Sequence, residues 1–139
     1  MNQFDAYLNF DGSCAEAMRF YERTLGGKLE MMLKTGDSPM AAQCPPGSAD
    51  RIMHARLVLD GSVLMASDTM PGQPYNGMKG FALSLIYGSN AEAKRVFDAL
   101  AEGGRVDMPM QKTFWSEAWG ALVDRFGTPW MVQGKMIAF

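Results

Sequence analysis

The chain carries one segment twice. Gly12-Ser13-Cys14-Ala15-Glu16-Ala17-Met18-Arg19-Phe20-Tyr21 returns as Gly88-Ser89-Asn90-Ala91-Glu92-Ala93-Lys94-Arg95-Val96-Phe97, identical at six of ten positions. Each copy then runs on to a glycine pair and a β-like stretch, Gly26-Gly27-Lys28-Leu29-Glu30 and Gly103-Gly104-Arg105-Val106-Asp107. A period near half of the 139 residues signals two copies of one supersecondary unit, because a solenoid needs three or more.

The pattern around each copy reads as β-α-β-β-β. Tyr7–Phe10 alternates as a short strand. Ser13, followed three residues later by Glu16, predicts a capping box opening a helix from Cys14 to Leu25, which Gly26-Gly27 stops. Lys28–Leu33 follows as a strand. Met53–Leu59 and Ser62–Ser67 form a hairpin about Asp60-Gly61. In the second copy Phe81–Tyr87 is a strand, Ser89 and Glu92 make a second capping box, and Gly103-Gly104 ends the helix. Arg105–Met110, Trp119–Val123 and Pro129–Gln133 complete the set. The first module spans about 5–68, the second about 80–135, and a turn-rich linker of about 69–79 joins them within one domain. The long segment from Lys34 to Ile52, with Pro39, Pro45 and Pro46, has the length of a functional loop and is expected to act as a lid.

Alternation gives each strand two faces. Leu8, Phe10, Leu57, Leu59, Leu64, Ala66, Phe81, Leu83, Leu85, Trp130 and Val132 form an almost wholly apolar set, expected to meet the helices. Asp5, Tyr7, Asn9, His54, Arg56, Met65, Ser67, Ala82, Ser84, Met131 and Gln133 form the other. That mixture of methionine with hydrogen-bonding groups suits a ligand pocket, and equally the watered side of an antiparallel sheet.

Composition narrows the function. A net charge of −2 without a basic run argues against nucleic acid. The longest apolar run, near Phe81–Tyr87, is far short of a membrane span, and the N-terminal residues lack the basic start and apolar stretch of a signal peptide. A cytoplasmic protein is expected. Cys14 and Cys44 have no metal-type spacing.

The segments Tyr7-Leu8-Asn9-Phe10-Asp11-Gly12, Glu16-Ala17, Phe20-Tyr21, Leu25-Gly26-Gly27, Ile52-Met53-His54-Ala55, Met65-Ala66-Ser67-Asp68, Thr113-Phe114-Trp115 and Asp124-Arg125-Phe126-Gly127-Thr128-Pro129-Trp130, with Cys14, together resemble the vicinal oxygen chelate superfamily. That superfamily includes glyoxalase I, bleomycin-resistance proteins and extradiol dioxygenases; the closer resemblance is to its PhnB-like branch. It implies an α+β fold: two tandem βαβββ modules in a cupped eight-stranded mixed sheet, helices on the outer face, and a homodimer.

The resemblance also implies where a divalent metal would sit: on the first and last strands of each module, near Asp5, Met65, Gly80 or Phe81, and Met131. Only Asp5 offers a hard donor there, whereas His and carboxylate sites need three or four converging groups. No metal ligand is therefore assigned and no cofactor is expected, a divalent metal being the disfavoured alternative. Some members of the branch carry a ubiquinone methyltransferase label. No glycine-rich turn between strand and helix with an acidic residue beyond it provides for S-adenosylmethionine, and Gly12-Ser13 and Gly88-Ser89 are explained as helix starts.

His54 is the only imidazole and the candidate catalytic base, with Asp5 or Asn9 to orient it; the alternative is a structural histidine. The candidate ligand-binding residues are Asp5, Tyr7, Asn9, His54, Arg56, Met65, Ser67, Ser84, Trp115, Glu117, Met131 and Gln133. Phe114-Trp115 and Trp119, with Glu117 nearby, suit a flat or cationic ligand, or a dimer contact. Cys14 lies in a helix's first turn, a place that lowers a thiol pKa, but its repeat counterpart is Asn90. Asp68 and Asp124 read as turn residues. The expected function is a metal-free homodimer that binds a small organic molecule, with no nucleic acid and no membrane as partner. The alternative is a glyoxalase-type lyase or isomerase dependent on a metal or on His54, rather than a methyltransferase.

Overall fold

The structure, a computed structural model, describes residues 2–138. They form two compact units whose boundary falls between Asn76 and Gly77. In the first unit the order is β1 (Ala6–Phe10), α1 (Cys14–Leu25), β2 (Lys28–Lys34), β3 (Ile52–Leu59) and β4 (Ser62–Asp68). In the second it is β5 (Leu83–Ile86), α2 (Asn90–Ala101), β6 (Arg105–Gln111), β7 (Trp119–Val123) and β8 (Pro129–Gln133). The eight strands divide into two four-stranded mixed sheets, β1-β4-β3-β2 and β5-β8-β7-β6. In each, the first strand lies parallel to the last and the other pairings are antiparallel. This is the α+β fold of two βαβββ modules.

Each helix covers one face of its own sheet. Met18 and Tyr21 of α1 are buried, together with Leu8, Phe10, Ala55, Leu57, Leu64 and Ala66 of the strands beneath. In the second unit Val96, Phe97 and Leu100 of α2 are buried with Leu122, Trp130 and Val132. Burial of a side chain such as Leu or Phe contributes about 2 kcal/mol, so this alternation fixes which face each strand turns inward. Gly120 of β7 lies under Phe97 of α2: a Cβ there would stand 2.7 Å from a ring carbon of Phe97.

The turns follow their residues. Gly26 closes α1 in the left-handed conformation, its N–H donating to the Glu22 carbonyl. Asp60 and Gly61 both take positive φ, 46° and 91°, as a tight hairpin turn of mirror-image type requires.

Three expectations are corrected. The Ser13–Glu16 capping box does not form: Ser13 takes φ −101° and ψ 9° rather than the extended cap conformation, and its side chain makes no cap hydrogen bond; separately, the Asp68 carboxylate ties the helix start through the N–H groups of Gly12 and Cys14. In α2 the Ser89 hydroxyl does accept the Glu92 N–H at 3.2 Å, but the Glu92 carboxylate turns to Arg95, at 2.7 Å. The strand expected over Phe81–Tyr87 is shorter, Leu83–Ile86, and Phe81 stays about half exposed rather than joining the core. The Lys34–Ile52 segment contains two short 3-10 turns and is tied to itself by Thr35 N to Arg51 O (2.8 Å) and Gly36 N to Ala49 O (2.9 Å).

Candidate functional site

The sheet face opposite α1 gathers six of the candidate residues, Tyr7, Asn9, His54, Arg56, Met65 and Ser67. Strand pairing sets Tyr7 beside Met65 and Met65 beside Arg56, which in turn faces Met31. The next row holds Asn9 beside Ser67, and His54 beside Leu33. Asp5 precedes β1, and its carboxylate accepts a hydrogen bond from the Gln3 side chain. Arg56 Nε donates to Glu30 Oε1 at 3.3 Å, from the position where β2 bulges between Leu29 and Met31. Tyr7 and Met31 remain 46% and 45% exposed. The face thus combines thioether and aliphatic surface with hydroxyl, imidazole and guanidinium groups.

Within it one contact spans the sheet. Tyr7 on β1 and His54 on β3 lean across the intervening β4, so that Tyr7 Oη lies 3.4 Å from His54 Nδ1. The two rings are 5.9 Å apart, centre to centre, and inclined by 36°. The group that orients His54 is therefore Tyr7, not Asp5 or Asn9 as expected from sequence. Asn9 contributes its backbone: the Tyr75 hydroxyl donates to the Asn9 carbonyl at 2.8 Å. Partial burial, followed by the charges of Asp11 and Asp68, raises the Tyr75 hydroxyl above its usual value.

The second unit presents a different surface. Ser84 pairs with Met131 and Met131 with Ala121; Ile86 pairs with Gln133 and Gln133 with Trp119. Trp115 packs edge-on against Trp119 at 5.5 Å and against Phe114 at 4.9 Å. Glu117 is drawn away to the start of α2, where its Oε1 accepts from Asn90 Nδ2 at 2.9 Å.

Cys14 is closed off. Burial first, and the Asp68 charge second, push its thiol up to about 12. The helix-start effect expected from sequence is reversed, first because the thiol is buried and second because the Asp68 carboxylate stands at that helix start.

Two groups implied by the resemblance can be tested against these residues. For a divalent metal, Met65, Phe81 and Met131 supply no hard donor and Asp5 stands alone. Among the described residues no three His, Cys, Asp or Glu side chains converge, so the residues of one chain do not fit a resident metal. For an S-adenosylmethionine carboxylate or other anion, the start of α1 would be the natural cradle. The Gly12 and Cys14 N–H groups there are already taken by Asp68 at 2.8 and 3.0 Å, so that cradle is filled by the chain itself.

Sequence reasoning missed two residues that organise the modules. Asp68 accepts three backbone N–H groups, and Asn90 links α2 to both Glu117 and Lys135. The available signal was the pairing of Cys14 with Asn90, one of the four positions at which the two copies differ.

Comparison with known proteins agrees with the architecture. The profile of the family described as 3-demethylubiquinone-9 3-methyltransferase matches residues 2–133. Protein YjdN of Escherichia coli K12 is 40% identical over 134 residues, covering 91% of this chain and 90% of its own. The crystal structure of protein PA1353 from Pseudomonas aeruginosa superposes with a TM-score of 0.91 at 50% identity, over 97% of this chain and 98% of that one. The PhnB protein from Bacillus cereus has a TM-score of 0.80 at 24% identity, over 96% and 99% of the two chains. A glyoxylase/bleomycin resistance protein/dioxygenase domain from Frankia sp. EAN1pec has a TM-score of 0.65 at 16% identity, over 97% and 92%. The last two show a shared fold. Among the described residues no helix is long and apolar enough to cross a membrane.

Proposed function

The chain belongs to the 3-demethylubiquinone-9 3-methyltransferase family, a PhnB-like branch of the vicinal oxygen chelate fold, and on that premise we propose that it is a small-molecule-binding protein rather than a methyltransferase. It holds a compact organic molecule on the open sheet face of its first unit, without a resident metal or methyl donor, and works as a homodimer. The observation that carries this reading is the Tyr7–His54 contact at 3.4 Å on a half-exposed face floored by Met65. Convergent polar groups over adaptable apolar surface are what orient a small ligand. The missing donor set and the filled start of α1 speak against metal and methyl-donor chemistry. Large exposed apolar side chains, among them Ile86 (62%), Phe114 (68%) and Met136 (66%), support self-association, since a monomer exposing them would be prone to it.

Three measurements test the reading. Elemental analysis of protein purified without chelator is expected to find no stoichiometric Ni, Zn, Fe or Mn; one tightly held ion per chain would overturn it. Sedimentation velocity should show a dimer. A thermal-shift panel of small aromatic acids, amines and quinones should yield at least one ligand whose stabilisation is lost in His54→Ala.

The same contact favours a second reading, a lyase or isomerase in which His54 moves a proton. An apo protein whose His54→Ala variant loses turnover yet still binds would establish it.

A further inference from the structure

Resting on the binding site just proposed, we infer that Tyr7 is a positioning residue that fixes His54 as the tautomer protonated on Nε2, and that the site therefore selects a ligand by an oxygen acceptor, a carboxylate or carbonyl carried on a compact apolar body. The argument starts from the pair itself. Tyr7 Oη and His54 Nδ1 are 3.4 Å apart, so one donates to the other. A phenol draws its oxygen lone pair into the ring and is a better donor than acceptor, whereas an unprotonated imidazole nitrogen is a strong acceptor. Tyr7 therefore donates to Nδ1, and the single ring proton of neutral His54 rests on Nε2. The contact is longer than an ordinary hydrogen bond and is expected to shorten on binding.

The rest of the face agrees in polarity. Arg56, one residue pair along the same strand face, donates from Nε to Glu30 at 3.3 Å, and its terminal nitrogens have no hydrogen-bond partner among the described residues. The Ser67 hydroxyl adds a further donor group beside Asn9. Met65 and Met31 supply the apolar contact on either side of Arg56. Each acidic group nearby accepts one hydrogen bond, Asp5 from Gln3 and Glu30 from Arg56. The face thus sets the Arg56 guanidinium and the imidazole N–H over thioether surface, which favours a ligand oxygen.

Because His54 is the only histidine, its two nitrogens give one unambiguous pair of resonances in a long-range proton–nitrogen NMR spectrum. At mildly alkaline pH the expected pattern is an unprotonated Nδ1 and a protonated Nε2. Tyr7→Phe, at a half-exposed position, should fold normally and move both resonances toward those of free histidine. Dominance of the proton on Nδ1, or a Tyr7→Phe spectrum identical to wild type, would overturn the inference. Benzoate and benzylamine serve as matched probes. Benzoate should shift Nε2 saturably, about five-fold more weakly in Tyr7→Phe, and benzylamine should not. Saturable shifts with benzylamine alone would leave the small-molecule reading standing and sink the acceptor inference. Silence of His54 toward both, and toward every ligand in the thermal-shift panel, would remove the site as well.

Discussion

Asp68, the last residue of β4, accepts the backbone N–H of Cys14 at the start of α1, at 3.0 Å. The same oxygen takes the Gly12 N–H at 2.8 Å, and the other takes the Ile52 N–H at the start of β3, at 2.9 Å. One buried carboxylate thus joins strand, helix and neighbouring strand. Asp68→Ala would leave three donors bare and is expected to destabilise by about 3 kcal/mol or more. Asp68→Asn retains one acceptor oxygen but sets an amide N–H against Ile52, for a loss of about 1–2 kcal/mol. Urea denaturation of the three proteins checks the order.

The second unit ties the corresponding place from the other side. Asn90, the counterpart of Cys14, accepts the Lys135 N–H at 2.9 Å, and Gly134 leaves the space its side chain fills. A Cβ on Gly134 would collide with Asn90 Oδ1 and stand 3.0 Å from the Asn90 Cα. Gly134→Ala is therefore expected to destabilise by about 1–3 kcal/mol. The penalty should shrink in an Asn90→Ala background, and a double-mutant cycle in urea gives the coupling directly.

The Cys14 thiol supplies a pH dependence with a definite sign. Its ordinary value of 9.0 is raised to about 12, by burial and then by Asp68. Below 9.0 both folded and unfolded chains hold the proton and the contribution is fully present. Between 9.0 and about 12 the unfolded chain has lost its proton while the folded one keeps it, so stability falls as pH rises. Cys14→Ala should lose less stability than wild type across that window; Tyr75 and Tyr87, whose hydroxyls are also raised, cancel in the comparison. In the native protein at neutral pH, iodoacetamide should label Cys44 and spare Cys14.

Thr35 is buried at the base of the long loop, and its Oγ1 is the one buried side-chain oxygen or nitrogen without a partner among the described residues. Thr35→Val replaces that hydroxyl with a methyl of similar size. A gain of about 0.5–1 kcal/mol is expected, read as a higher melting temperature. A loss of similar size would show that the hydroxyl has a water partner.

The repeat was legible because it is local: a helix start, a glycine stop and alternating strands are written in adjacent residues. The helix-facing set Leu8, Phe10, Leu57 and Leu64 could be named for the same reason, since a period of two leaves little choice when one face is apolar. Phe81 failed that rule because alternation does not say where pairing ends; β5 begins at Leu83, leaving Phe81 outside the ladder. The Ser13–Glu16 signature misled because a capping box is one of several ways to satisfy the same N–H groups. Such a box also needs an extended cap residue, and Ser13 takes φ −101° and ψ 9° instead; the helix start is tied at the Cys14 N–H by a carboxylate 54 residues away. The Tyr7–His54 contact escaped for a related reason. Both residues were placed on one face, but which long side chains touch across an intervening strand depends on register, and register involves both partners.

The mirrored ties around Asp68 and Asn90 make the duplicated halves mutually exclusive at their joints. A hybrid that brought the start of α2 to the end of β4 would crowd an amide against a carboxylate in room meant for one of them. The opposite hybrid would set a thiol beside a bare glycine and leave main-chain groups thirsty. Kinship between the copies invites crossover during folding and between neighbouring chains; these two joints reject the wrong graft by shape and by valence alike.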